Sequence, residues 1–160
     1  MNEYEKLMNY GLRLITKKRY TVVEMSKKLK LAMKKYELSD PEIMGRVVDR
    51  LKELNYLNDI EFADHFVKDR INFRPRGKFL IQKELKQKGV DITAIETAFG
   101  NSDFDEEDMA IIALEKKLKS WEKYPTEKVR SKAFSFLSGK GFSSDAIYKA
   151  MKRCYIQLNE

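Results

Sequence analysis

The residues with chemistry to offer are mostly cations. Arg70, Arg74, Arg76 and Lys78 crowd the stretch RINFRPRGK, and Lys83, Lys86 and Lys88 follow shortly after. An arginine fork can bind a carboxylate or a phosphate with two parallel hydrogen bonds, and arginine is favoured at binding surfaces. The plain alternative is a solvated helix face with a loop. A contact surface is favoured because the charges sit on a turn that Pro75 and Gly77 could form equally well without them. Lys17, Lys18, Arg19, Lys27 and Lys28 make a second patch. Lys128, Arg130 and Lys132 hold the corresponding place later in the chain, so a basic edge that recurs along it is expected.

The remaining candidates have ordinary explanations. Tyr20, Phe73 and Tyr124 lie in turns beside cations and could stack on bases, but packing between helices is the expected role for such rings. The one histidine, His65, has no placed partner that would make it a general base. The one cysteine, Cys154, excludes an internal disulfide and falls on the apolar side of the last helix, as a small core residue would. Asp103, Asp105, Glu106, Glu107 and Asp108 lack the ligand spacing and turn glycine of a calcium loop. Gly139-Lys140-Gly141 ends a helix and does not cradle a phosphate. No catalytic constellation, cofactor site or metal site is read, and a non-catalytic protein is expected.

Helices must position these residues. Apolar side chains recur at helical spacing throughout, and no segment sustains period-two alternation. Tyr4, Leu7, Met8, Leu12 and Ile15 define a first helix. Thr21-Val22-Val23-Glu24 has the form of a capping box and opens a second, carrying Met25, Leu29 and Met33 inward. Asp40 and Pro41 start a third with Ile43, Val47, Leu51 and Leu54 buried. Asn58-Asp59 starts a fourth, with Phe62, Ala63, Phe66 and Val67 inward, that Pro75 and Gly77 break. A fifth carries Ile81 and Leu85 and ends at Gly89, where the missing Cβ suits a left-handed turn. Thr93 and Glu96 form a further capping box for a sixth. The acidic run caps a seventh, which carries Ala110, Ala113, Leu114, Leu118 and Trp121. An eighth buries Val129, Ala133, Phe136 and Leu137, and Ser144 or its neighbour caps a ninth that turns Ile147, Ala150, Met151, Cys154 and Tyr155 inward.

The chain also repeats. Leu85, Lys88, Gly89, Val90, Ala94, Ile95, Ala98 and Phe99 return as Leu137, Lys140, Gly141, Phe142, Ala146, Ile147, Ala150 and Met151, all at one offset of 52 residues (141 minus 89). The fold class read is all-α: three tandem three-helix repeats, 1–56, 57–100 and 101–160, stacked into an elongated, curved array. The first repeat has a longer second turn, from Lys34 to Asp40, in place of the short Lys-Gly turn.

Composition agrees. Of 160 residues, 36% are charged with only 7 Gly and 3 Pro, which suits helices. A formal charge of +7 points to an acidic partner, nucleic acid or protein, or simply to solubility. No apolar run approaches the roughly 18 residues of a membrane span. The segment MNEYEKL lacks the features of a secretion signal, so a cytoplasmic location is expected.

The order of these pieces resembles the RecX family of recombinase regulators. Arg19-Tyr20-Thr21 precedes Glu24-Met25 and Leu29. The run from Val47 to Asp59, VVDRLKELNYLND, leads into Phe62-Ala63. Phe66-Val67 and Arg70 then precede Gly77-Lys78, Ile81, Glu84-Leu85 and Lys88-Gly89-Val90. The resemblance covers nearly the whole chain and rests on the ordered combination. Asn58-Asp59 stands where the family has paired aspartates, and the long basic extension of some relatives is absent. The resemblance implies a regulator that lies along the groove of the RecA–single-stranded DNA filament. It also implies that the regulator inhibits ATP hydrolysis, strand exchange and filament extension. The partner expected is therefore the RecA filament, with nucleic acid contact possible in the complex, no membrane, and a monomeric regulator. The competing readings are a helical module that binds DNA directly and a scaffold whose charge serves solubility.

Overall fold

A computed structural model describes the backbone of residues 1–158 and the side chains of residues 1–154. Among the described residues it is all helical: α1 (Glu3–Ile15), α2 (Val22–Lys35), α3 (Ile43–Glu53), α4 (Asp59–Phe73), α5 (Lys78–Gln87), α6 (Ile92–Gly100), α7 (Glu106–Leu118), α8 (Thr126–Gly139) and α9 (Ser144–Leu158). A short 3-10 turn, Lys119–Trp121, follows α7, so Trp121 lies just beyond the helix expected to carry it. Packing gathers these helices into two compact units. One comprises Met1–Ala63 with Leu85–Thr97, the other Asp64–Glu84 with the chain from Ala98 onward.

The first unit is built on α1, α2 and α3. Leu7, Met25, Leu29, Val47 and Leu51 are wholly buried in its core, and Tyr20 and Leu57 close it. The expected inward positions hold except at Leu54, which is 40% exposed; it is the C-cap of α3, past the last turn that faces the core, and Val48 is buried instead. The capping box at Thr21 forms as read: its hydroxyl accepts from the Glu24 amide at 3.1 Å and Glu24 Oε1 accepts from the Thr21 amide at 3.1 Å. α3 starts later than expected, because Asp40 and Pro41 form a turn in which Asp40 accepts from the Glu42 amide at 3.0 Å. α6 starts at Ile92, two residues (94 minus 92) before the Ala94 that a Thr93 box would place first. Asp91 is its cap, accepting from the Thr93 amide at 2.7 Å, because an aspartate just upstream reaches the free amides first.

The second unit buries Val67, Ile81, Ala110, Leu114, Ala133, Leu137, Ile147 and Cys154. Asp105 caps α7, accepting from the Asp108 amide at 3.0 Å, and Ser143 caps α9, accepting from the Ala146 amide at 3.2 Å. Val129 and Phe136 are half-buried rather than buried, since α8 faces the core mainly through Ala133 and Leu137. The reading of Tyr155 falls outside the described side chains.

Each unit contains a helix start seated on a lysine-glycine turn. In the first, the Thr21 hydroxyl donates to the Lys88 carbonyl at 2.6 Å, and Val23 lies where a Cβ on Gly89 would be. In the second, the Gly77 amide donates to the Lys140 carbonyl at 2.9 Å, and Leu80 lies where a Cβ on Gly141 would be. Gly89 and Gly141 both have φ of 85°, the left-handed region that only glycine enters without strain. The repeat at offset 52 therefore preserves a socket: a left-handed glycine, a free carbonyl before it, and room for the first turn of another helix. At the longer turn between α2 and α3 the contact is a side chain: Glu3, the first residue of α1, accepts from the Ser39 and Asp40 amides at 3.3 and 3.4 Å.

Candidate partner-binding surface

The basic turn between α4 and α5 divides into structural and free cations. Arg70, on the last turn of α4, and Arg76, in the turn, both reach Glu84 on α5, each at 3.1 Å, from half-buried positions. Arg70 also lies over the Phe66 ring at 4.3 Å. One carboxylate thus holds two guanidiniums, a geometry that ties α4, the turn and α5 together. Arg74 is different. It is exposed and makes no ion pair among the described residues. Lys78 is exposed with its ammonium 5.2 Å from the Phe99 ring centroid, and Lys83 and Lys86 are exposed without ion pairs among the described residues.

The turn also carries bare aromatic surface. Phe73 is 75% exposed and Phe79 69%, one on each side of Arg74 to Lys78. The packing role expected for Phe73 is not what it does, because α4 ends there and turns the ring to solvent. Tyr20 does pack: it is buried, with Lys18 over its ring at 4.6 Å. Tyr124 is half-buried, and Lys128 and Lys132 lie over its ring at 4.4 and 4.8 Å, joined by Lys123 at 5.2 Å. Arg130 lines an apolar cavity with Leu114, Leu118 and Met151.

In the first unit the patch is likewise mixed. Lys18 and Lys88 share Glu24 Oε2 at 4.0 and 3.4 Å, so the capping carboxylate of α2 also neutralises the lysine of the Lys-Gly turn. Lys17, Arg19 and Lys27 are exposed and without ion pairs among the described residues. His65 is exposed. Cys154 is buried, and that burial pushes its thiol above the ordinary cysteine range, so near neutral pH it is an unreactive core group.

Three cations not singled out from the sequence belong with Arg74. Lys116, Lys117 and Lys140 line one cleft with Arg74, Pro75 and Arg76. They come from the end of α7 and the cap of α8, and only the repeat turn at Lys140 hinted at any of them.

Two three-helix domain models of the RecX family match the chain, the second domain over residues 58–98 and the third over residues 105–151. The regulatory protein RecX of Finegoldia magna is 33% identical over 150 residues, covering 91% of this chain and 70% of that protein. The regulatory protein RecX of Bacillus subtilis is 33% identical over 129 residues, 80% of this chain and 48% of its own length; that of Streptococcus sanguinis is 34% identical over 119 residues, 74% and 44%. The chain thus spans about half the length of these last two relatives. The crystal structure of RecX from Lactobacillus salivarius has the same fold, with a TM-score of 0.79 over 96% of this chain and 97% of that one at 21% identity. The tandem three-helix architecture is therefore that of these proteins, no helix among the described residues is long and apolar enough to cross a membrane, and the chain belongs to the RecX family of regulatory proteins.

Proposed function

We propose that this chain is a non-catalytic regulator of the RecA recombinase, binding the filament that RecA forms on single-stranded DNA. On this reading it inhibits ATP hydrolysis, strand exchange and filament extension, and so modulates recombination and DNA repair in the cytoplasm. The observation that carries the proposal is the family match across both helical units, at 33% identity over 91% of the chain for the Finegoldia magna relative. Three tandem repeats, 1–56, 57–100 and 101–160, present successive basic surfaces suited to a partner that is itself periodic. Arg74 is the first contact to test, with Lys78, Lys83 and Lys86 following it in the sequence; Lys17, Arg19 and Lys27 serve the first repeat, and Lys128 and Lys132 the third. Arg70 and Arg76 contribute by holding the turn, through Glu84, as much as by touching the partner.

The test is the DNA-dependent ATPase of RecA. Added in less than equal amounts, the chain suppresses hydrolysis; no effect at equal amounts would sink the proposal. The second reading, direct binding to DNA, draws on exposed Phe73 and Phe79 beside Arg74, since bare rings among cations suit unstacked bases. It requires tight binding to naked single strands at physiological salt whether or not RecA is present.

A further inference from the structure

We infer that the cleft in the second unit bounded by the Arg74–Arg76 turn, the end of α7 and the cap of α8 is a phosphate-binding site. Arg74, Arg76, Lys116, Lys117 and Lys140 line it, and Phe136 forms part of its wall. Its volume is about 340 Å³, at the small end of the range for ligand pockets.

Charge balance is the main argument. Arg76 has Glu84 as a counter-ion, but Arg74, Lys116, Lys117 and Lys140 have no carboxylate partner among the described residues. The ammoniums of Lys117 and Lys140 are drawn to one ring, 5.4 and 5.6 Å from the Phe136 centroid, although they come from different helices. Two like charges drawn to one ring repel, and a cation–π contact of about 0.5–1 kcal/mol each is a modest restraint at exposed sites. Helix dipoles offset part of the surplus: α7 and α8 point their C-terminal ends here, each worth about half a negative charge. Four cations less about one charge leaves a surplus of about three. One carboxylate cannot meet that. A terminal pyrophosphate of a free nucleotide, with about three charges, or a run of about three diesters of a polynucleotide strand, with one each, can, and both offer oxygens that an arginine fork and several lysines can share.

The site goes beyond the proposed regulatory role, because the chain binds the anion without any recombinase present. The test compares the full chain with two charge-matched triple variants. One is Lys116→Ala/Lys117→Ala/Lys140→Ala; the other is Lys30→Ala/Lys34→Ala/Lys35→Ala, exposed on α2 and far from the cleft in sequence. Inorganic pyrophosphate is titrated calorimetrically, and a labelled oligothymidylate by anisotropy between 50 and 200 mM salt, with urea unfolding as a check that the variants fold. Neutralising about three diesters gives a log–log salt slope of about −2.1, from about −0.7 each on a single strand. The cleft variant should lower that slope to about −0.7 and weaken pyrophosphate binding about tenfold or more, while the α2 variant changes neither. Pyrophosphate binding that the oligonucleotide does not displace identifies a free nucleotide as the source; displacement identifies a strand. The inference is overturned if the wild type binds neither probe, if both triple variants weaken binding equally, or if polyglutamate binds in preference to both. Because RecA is absent throughout, failure here leaves the ATPase test of the regulatory proposal untouched.

Discussion

Replacing Gly77 by alanine probes the seating of the α5 start on the turn after α8. A Cβ at this buried position would overlap the Gly141 backbone carbonyl and the Phe142 amide nitrogen, so no side-chain rotation relieves it. The two segments must separate. Forcing a methyl group into a packed site costs about 1–3 kcal/mol, and separation weakens the 2.9 Å bond from the Gly77 amide to the Lys140 carbonyl, about 1 kcal/mol more. Against this, alanine restricts the unfolded chain and returns about 0.4–1 kcal/mol. The net is about 2 kcal/mol of destabilisation, or roughly 4–8 °C in Tm for a chain of this size. Urea unfolding followed by far-ultraviolet circular dichroism measures it. Gly45→Ala is the control, since nothing lies within 4 Å of its Cβ and it sits exposed inside α3; it should stabilise by about 0.5–1 kcal/mol. If Gly77→Ala unfolds like the wild type, the two turns do not abut and the socket account of the repeat is wrong.

Three further outcomes follow from the same packing. Thr21→Val keeps the shape but removes both the cap of α2 and the hydroxyl bond to the Lys88 carbonyl, and should cost about 2–4 kcal/mol in urea unfolding. Glu84→Gln leaves Arg70 and Arg76 held together without their shared carboxylate; a loss of about 1–3 kcal/mol is expected, and added salt should recover part of it by screening the repulsion. Cys154 should resist iodoacetamide in the folded chain and react on unfolding. Because its folded thiol titrates above the unfolded one, its contribution to stability is complete below the unfolded value and falls as alkaline pH rises through the folded value; a Cys154→Ala variant should lose that part of the alkaline dependence.

How much of this the sequence carries depends on how local the physics is. The capping box at Thr21 and the left-handed glycines at 89 and 141 were legible, because each depends on a few neighbouring residues. The repeat was visible as a register of eight residue pairs, but its reason was not: the Lys88 and Lys140 carbonyls serve residues 67 positions and 63 positions (140 minus 77) away. The same limit applies at the basic turn. Spacing places Arg70, Arg74 and Arg76 together, yet it cannot show that Glu84 takes two of them and leaves Arg74 free. Helical periodicity also put Leu54 inside and offered a packing role to Phe73, since both sit at helix ends where the buried face runs out. The convergence of Lys116, Lys117 and Lys140 needs three segments to meet, and no spacing rule reaches that far.

This pairing changes which substitution is informative. Arg76→Glu would set a carboxylate against Glu84 and loosen the turn, so a loss of binding would be ambiguous. Arg74→Glu disturbs no ion pair among the described residues and reverses one exposed charge. The most direct measurement is a pull-down of the chain with RecA filaments assembled on single-stranded DNA, read together with ATP hydrolysis, for the wild type and Arg74→Glu. The wild type should be retained by filaments, far less by DNA or RecA alone, and should suppress hydrolysis, and Arg74→Glu should weaken both effects without a change in Tm. Equal retention on naked DNA, or retention on filaments with hydrolysis unchanged, would contradict the regulatory proposal.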